Sequence, residues 1–156
     1  MEESWIYIGI FLDKKSRKKL MNLYPQPEGW KEIYDHMTVV YNDSTNMAYA
    51  VRDINQHNLN KKFKLKIIGP GISDKAYALQ VELPKGVVAA NKITHITLAT
   101  CPATNGNAVD SNYITNWSKI YDNIYVTGEM KIFKPTPGLL NSSEYTKIIV
   151  DEANIS

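Results

Sequence analysis

Two short runs constrain this chain more than anything else in it: DHMTVV at residues 35–40 and THITLA at residues 94–99. Each is dense in apolar and β-branched residues, the composition of a strand. Each carries His-x-Thr with apolar residues at the alternate positions, and together they use two of the chain's three histidines. Successive side chains on a strand point to opposite faces, so His36 and Thr38 share one face while Met37 and Val39 take the other. The same alternation sets His95 and Thr97 against Ile96 and Leu98. Any fold open to this chain must give both runs a polar face and a core face.

The rest of the chain supplies more strands and a few helices. SWIYIGIFL (4–12) reads as a buried strand. DKKSRKKLMNLY (13–24) reads as a helix capped by Asp13, with its basic residues toward water. PQPEGW is a loop, and HMTVVYN (36–42) a strand. Residues 43–60 are polar and irregular, with room for a short helix; His57 there is expected to be a solvated loop residue. FKLKIIG (63–69) alternates as a strand that the following GPG is expected to end in a turn. KAYALQVELP (75–84) and ITHITLAT (93–100) are strands, separated by KGVVAANK as a loop or short helix. CPATNGNAVDSNYI (101–114) is a long loop of the kind that often carries function. TNWSKIYDN suits a helical turn, IYVTGEMKIF (124–133) a strand, and YTKIIV (145–150) one more. This order is α+β. The strand, helix and HMTV of the first half are echoed by the strand and HITL of the second, which suits two similar lobes offering one His-x-Thr strand each.

The 156 residues are expected to form one domain, 1–156. The single cysteine, Cys101, leaves no internal disulfide and fits a reducing, cytoplasmic compartment. The apolar runs are shorter than a membrane span, and the acidic start of MEESWIYIGIFLD is unlike a signal peptide. A net charge of +2 is too small for a protein that holds duplex nucleic acid through many phosphates, whereas a small anionic ligand is compatible. The ten tyrosines and the lean to Lys, Asn and Ile match an AT-rich coding sequence, such as a viral one.

If the two polar faces meet across a groove, the groove holds two imidazoles and two hydroxyls. That set suits phosphodiester chemistry. One neutral histidine takes a proton from the attacking oxygen and the other, protonated, gives one to the leaving oxygen. The hydroxyls of Thr38 and Thr97 donate to the non-bridging oxygens. Zinc on His36, His95 and Cys101 is the competing chemistry, but neither a CxxC nor an HExxH spacing is present and the threonines are poor ligands. No cofactor is expected.

HMTV and HITL resemble the paired motifs of the 2H phosphoesterase superfamily, the LigT-like group. Its members carry two such motifs on facing strands of a two-lobed, pseudo-symmetric α+β fold of antiparallel sheets with a few flanking helices, and they work without metal. The opening strand WIYIGIFLD before the first helix is similar to the family's start. The layout YIGIFLD, EGW, DHMTVVYN, THITLATCP looks like the viral members, of phage and poxvirus type, that cut cyclic dinucleotide immune messengers. The resemblance implies that His36, Thr38, His95 and Thr97 are catalytic. It implies a metal-free phosphodiesterase acting on a substrate of the 2′,3′-cyclic GMP-AMP type, in the host cytosol, to block innate immune signalling. Aromatic residues would then stack on the bases, with Tyr7 and Trp117 preferred, Tyr113 next and Trp30 also placed for it. RNA ends with a 2′,3′-cyclic phosphate and 2′,5′-oligoadenylates are alternative substrates. A nucleotide-sequestering protein is the alternative outside enzymes, and a domain in which the motifs coincide by chance is the third reading.

Overall fold

The computed structural model describes residues 4–134; the YTKIIV strand expected at 145–150 lies outside the described residues. Strand β1 (Tyr7–Leu12) is followed by helix α1 (Lys14–Leu23), which Asp13 caps by accepting the Ser16 amide at 2.7 Å. Lys14, Lys15, Lys18 and Lys19 are exposed, and Leu20 is buried. Arg17 departs from the solvated face expected of it, because its Nε donates to the Tyr34 carbonyl at 2.6 Å. A two-residue strand that the sequence pattern did not reveal, β2 (Lys31–Glu32), precedes β3 (His36–Tyr41). Helix α2 (Asn46–Ile54) is capped by Thr45. It leads through a 3₁₀ turn at 56–58, where His57 is exposed as expected. Strands β4 (Lys62–Ile72), β5 (Ala76–Glu82), β6 (His95–Thr100) and β7 (Tyr125–Phe133) follow. Residues 101–114 contain two 3₁₀ turns, at 102–104 and 108–113. Among the described residues no helix is long and apolar enough to cross a membrane.

The Gly69-Pro70-Gly71 segment is not a turn. β4 runs through it to Ile72, and the turn comes afterwards, where Ser73 Oγ accepts the amides of Lys75 and Ala76 at 3.1 and 3.2 Å. The glycines answer a packing need. A Cβ at Gly69 would collide with the Ser118 carbonyl, and one at Gly71 with the Trp117 ring. The Pro70 carbonyl accepts the Ser118 amide at 2.8 Å. Segment 115–123 is therefore laid along β4, bridging Gly71 at Trp117, instead of forming a helical turn.

Among the described residues all the strand pairings are antiparallel, and the order β2-β6-β3-β1-β7-β4-β5 is completed by a pairing of β5 with β6. Six strands thus close into a ring, with β2 joined to the far end of β6. The ring divides into two three-stranded halves, β3-β1-β7 and β6-β5-β4, each with its His-x-Thr strand on the inner edge. The halves are joined on one side along β7 and β4, and on the motif side at a single β3–β6 pair, Met37 with Ile96. Both of these side chains are 0 % exposed in a core shared with Ile8, Ile10, Val39, Leu79 and Leu98.

Because Met37 fills the core at the seam, Met37→Ala is expected to lower the unfolding free energy by about 2–5 kcal/mol, measured by urea denaturation. A loss well under 1 kcal/mol would mean that the seam is not packed as described.

Candidate functional site

The Met37–Ile96 register, carried one residue each way, sets His36 across from Thr97 and Thr38 across from His95. Residues directly opposite one another share a face, with Cβ atoms about 4.5–5.5 Å apart. The two motifs thus lie on neighbouring strands, with their imidazoles and hydroxyls on the face opposite Met37 and Ile96. Their face is as covered as the core face: His36, Thr38, His95 and Thr97 are 1, 4, 2 and 1 % exposed.

His36 is held on every side. Its Nδ1 lies 2.9 Å from Asp35 Oδ2 and its Nε2 lies 3.1 Å from Thr38 Oγ1. A carboxylate only accepts, so Nδ1 carries the proton; in the neutral ring Nε2 is the acceptor and the Thr38 hydroxyl donates to it. Neighbours on a strand normally point apart. Asp35 turns back onto His36 because it lies just before the strand and follows Tyr34, whose φ of +44° is rare for a residue with a side chain. That strained corner is pinned. The Tyr34 hydroxyl donates to the Tyr24 carbonyl at 2.5 Å, Arg17 holds the Tyr34 carbonyl, and the Leu12 amide donates to the Asp35 carbonyl at 3.0 Å. The hydrogen bond from His36 holds the Asp35 carboxyl below the usual carboxylate range against the opposing effect of burial, and the charges of His36 and Arg17 act in the same direction.

The His36 ring lies against Tyr7 at 5.0 Å between centroids and against Phe11 at 5.0 Å. Gly9, opposite Thr38 on β1, leaves the room: a Cβ there would sit 3.1 Å from His36 Cδ2 and 3.2 Å from the Met37 carbonyl. Tyr7 also stacks on Phe133 at 5.4 Å and is 2 % exposed. In this conformation it walls His36 and presents no open face to a base.

His95 is anchored differently. Its Nδ1 donates to the Ile93 carbonyl at 2.9 Å, which leaves Nε2 buried and, among the described residues, without a hydrogen-bond partner. An unpaired buried nitrogen is costly in a resting protein and calls for an explanation such as a ligand or a catalytic role. Thr97 Oγ1 lies 2.9 Å from Ser111 Oγ, on the 108–113 turn. Ala78 and Gln80 on β5 stand opposite Thr97 and His95.

Of the aromatic residues expected at the site, Trp117 packs against Ala76, Ala78 and Ile114, on the face that Thr97 and His95 occupy. Tyr113 is 75 % exposed. Trp30 is partly buried beside β2. Among the described residues no three His, Cys, Asp or Glu side chains converge as a metal site, so Cys101 does not join the two histidines. Asp35, Ser111 and Arg17 are the participants that sequence reasoning missed. Only Asp35 left a local signal, an acidic residue directly before the first histidine.

The sequence matches no protein-family model and no curated protein. Among solved structures the fold is similar to one titled "Crystal Structure of Fungal RNA Kinase", with a TM-score of 0.55 at 17% identity. The match covers 89% of this chain and 44% of that one, so this chain spans less than half the neighbour's length. The likeness is one of fold.

Asp35→Asn tests the anchoring of His36. In the native protein the neutral His36 ring is expected to be the Nδ1–H tautomer by nitrogen-15 NMR, and in the variant a mixture of tautomers. A native carboxyl titrating below its unfolded value stabilises the fold above that unfolded value and ceases to do so as pH falls through the native one. The stability gap between the native protein and Asp35→Asn should therefore be widest near neutral pH and shrink in acid. A gap that grows in acid would contradict the hydrogen-bonded geometry of Asp35 and His36.

Proposed function

We propose that this protein is a metal-independent phosphodiesterase of the LigT-like kind, with a cyclic dinucleotide of the 2′,3′-cyclic GMP-AMP type as substrate. The observation that carries the reading is the pairing of the two motif strands at Met37 and Ile96, with each imidazole held through Nδ1 so that Nε2 is the working nitrogen. The division of the ring into two like halves, each with one motif strand, supports the two-lobed arrangement that the motif resemblance implies.

The chemistry runs on the chain's own groups. One imidazole, neutral at Nε2, takes the proton of the attacking hydroxyl, which is a ribose hydroxyl beside the phosphodiester or a water. A new P–O bond forms as the bond to the leaving oxygen breaks. The other imidazole, protonated at Nε2, delivers its proton to that oxygen. The Thr38 and Thr97 hydroxyls, now bonded to His36 and Ser111, turn to the non-bridging oxygens, where charge builds. Attack by a ribose hydroxyl leaves a cyclic phosphate; attack by water leaves a hydrolysed end.

The purified protein in excess chelator is expected to convert 2′,3′-cyclic GMP-AMP to linear or mononucleotide products, followed by chromatography. His36→Ala and His95→Ala should each lower the rate by about 100- to 10,000-fold. Turnover undiminished in the doubly substituted protein would overturn the reading. A solved structure of similar fold is titled an RNA kinase, which favours RNA as the second substrate class; RNA ends bearing a 2′,3′-cyclic phosphate are the form of it that the motif resemblance implies. That reading gains if such ends are opened while the cyclic dinucleotide is left intact.

A further inference from the structure

Half of the chain's 18 basic residues lie in two short runs, 14–19 and 61–66, that contain no Asp or Glu. The net charge of +2 conceals this concentration. The runs are far apart in sequence, and β7 brings them together. β4, which carries the second run, pairs with β7 along one edge. α1, which carries the first, packs beside β7 where β1 has ended: past the last β1 pair, Leu12 with Gly128, the Thr127 amide donates to Ser16 Oγ at 2.8 Å. Tyr125 is the meeting point. Its carbonyl accepts Lys19 Nζ at 2.8 Å, and the Lys64 ammonium lies 4.3 Å from the centre of its ring.

Lys62, Lys64 and Lys66 stand opposite Glu129, Thr127 and Tyr125 in unbroken register, so all three point to one face of the sheet. Lys62 and Lys64 are exposed and Lys66 is half-buried. Among the described residues none of the three is ion-paired. Glu129 is held by Lys131 at 3.1 Å, and Glu82 stands opposite Lys66 without pairing with it. Lysines two apart on a strand are about 6.5–7 Å from one another, the scale of one nucleotide in an extended single strand. The row is one lysine wide, which suits one phosphate chain and not the two of a duplex. Beyond Lys66, segment 115–123 continues the line of β7 along β4. There Tyr121 is 88 % exposed, with the Lys119 ammonium 5.9 Å from its ring centre. A row of cations with an exposed ring beside it serves both parts of a single strand, its phosphates and its bases. An anionic membrane asks instead for apolar side chains to bury, and among the described residues none of the large exposed ones lies on β4 before Ile72 or on β7.

We propose that this face binds a single-stranded nucleic acid, with Lys62, Lys64 and Lys66 meeting successive phosphates, Lys19 adding charge at the border and Tyr121 stacking on a base. The surface lies outside the four motif residues. The cross-strand row His36, Phe11, Glu129, Lys62 puts Lys62 on the same sheet face as His36 and three strand spacings from it, about 14 Å. The inference therefore stands whether or not the motif residues cut phosphodiesters.

The test is binding of a short fluorescein-labelled single strand to the whole protein, followed by anisotropy at several salt concentrations, with a duplex of the same length, polyglutamate and phosphatidylserine vesicles as competitors. The single strand is expected to bind, and the competitors to displace it weakly. The logarithm of affinity should fall against the logarithm of salt with a slope of about −2, at about −0.7 for each of three phosphates. Replacing Lys62, Lys64 and Lys66 together by Gln, which keeps most of each stem, should lower affinity about ten-fold or more and flatten the slope towards zero. Tyr121→Ala should weaken binding about five-fold or more, the scale of one stacked base. These are changes at the surface, with little effect on folding. No binding at low salt, or an affinity unchanged in the triple variant, would overturn the proposal. Displacement by polyglutamate at equal charge would turn the face into a site for an acidic protein, and displacement by vesicles into a membrane surface; either result overturns it as well. Strand binding in a protein that cuts no phosphodiester would uphold it and sink the catalytic reading. Cleavage of a cyclic dinucleotide by a protein that holds no strand would do the reverse.

Discussion

The structure depends on one pairing. Met37 on β3 meets Ile96 on β6, and at that point alone the two halves of the ring are joined on the motif side. The strand edges beyond it are committed elsewhere: β3 to β1, and β6 to β5 along one edge and to β2 at its far end. The apolar side chains of the pair go into the core, so His36 and Thr97, and Thr38 and His95, are brought together on the other face. A one-residue slip of β3 in this pairing would carry His36 and Thr38 into the core and Met37 out of it, while β6 kept its faces.

The two halves are alike in plan and unlike in detail, and the differences are chemical. His36 has both nitrogens occupied, by a carboxylate and a hydroxyl, and sits in an aromatic box made by Tyr7 and Phe11. His95 has a backbone carbonyl on one nitrogen and nothing among the described residues on the other, and the neighbouring strand gives it Ala78 and Gln80 in place of large rings. A resting protein gains nothing from a buried, unpaired imidazole nitrogen. The first half is thus the more fully hydrogen-bonded of the two.

Much of this was legible in the residues because period-2 patterns report faces. The alternation in HMTVV and HITLA placed the right side chains on the right faces, and the Asp13 cap marked the start of α1. The failures have physical reasons as well. GPG carries the composition of a turn, yet Gly69 and Gly71 are there because segment 117–120 presses against β4 and leaves no space for a Cβ. Arg17 belongs by composition to a solvated basic face, but a carbonyl turned out at the strained Tyr34 corner draws it inward. The two-residue β2 is too short for any periodicity to reveal.

From sequence alone came the α+β class, the two His-x-Thr strands and the four polar side chains that share one face of each. Each of these is a property of side chains along a local backbone, and the order of residues determines it. The tertiary structure decided which strand edges meet, that the motifs lie side by side, that Asp35 backs His36 and that Trp117 lies against Gly71. Backbone amides and carbonyls are the same on every strand edge, so a strand's pattern says which face is buried and not which neighbour it takes. That choice is made by core packing across the whole ring.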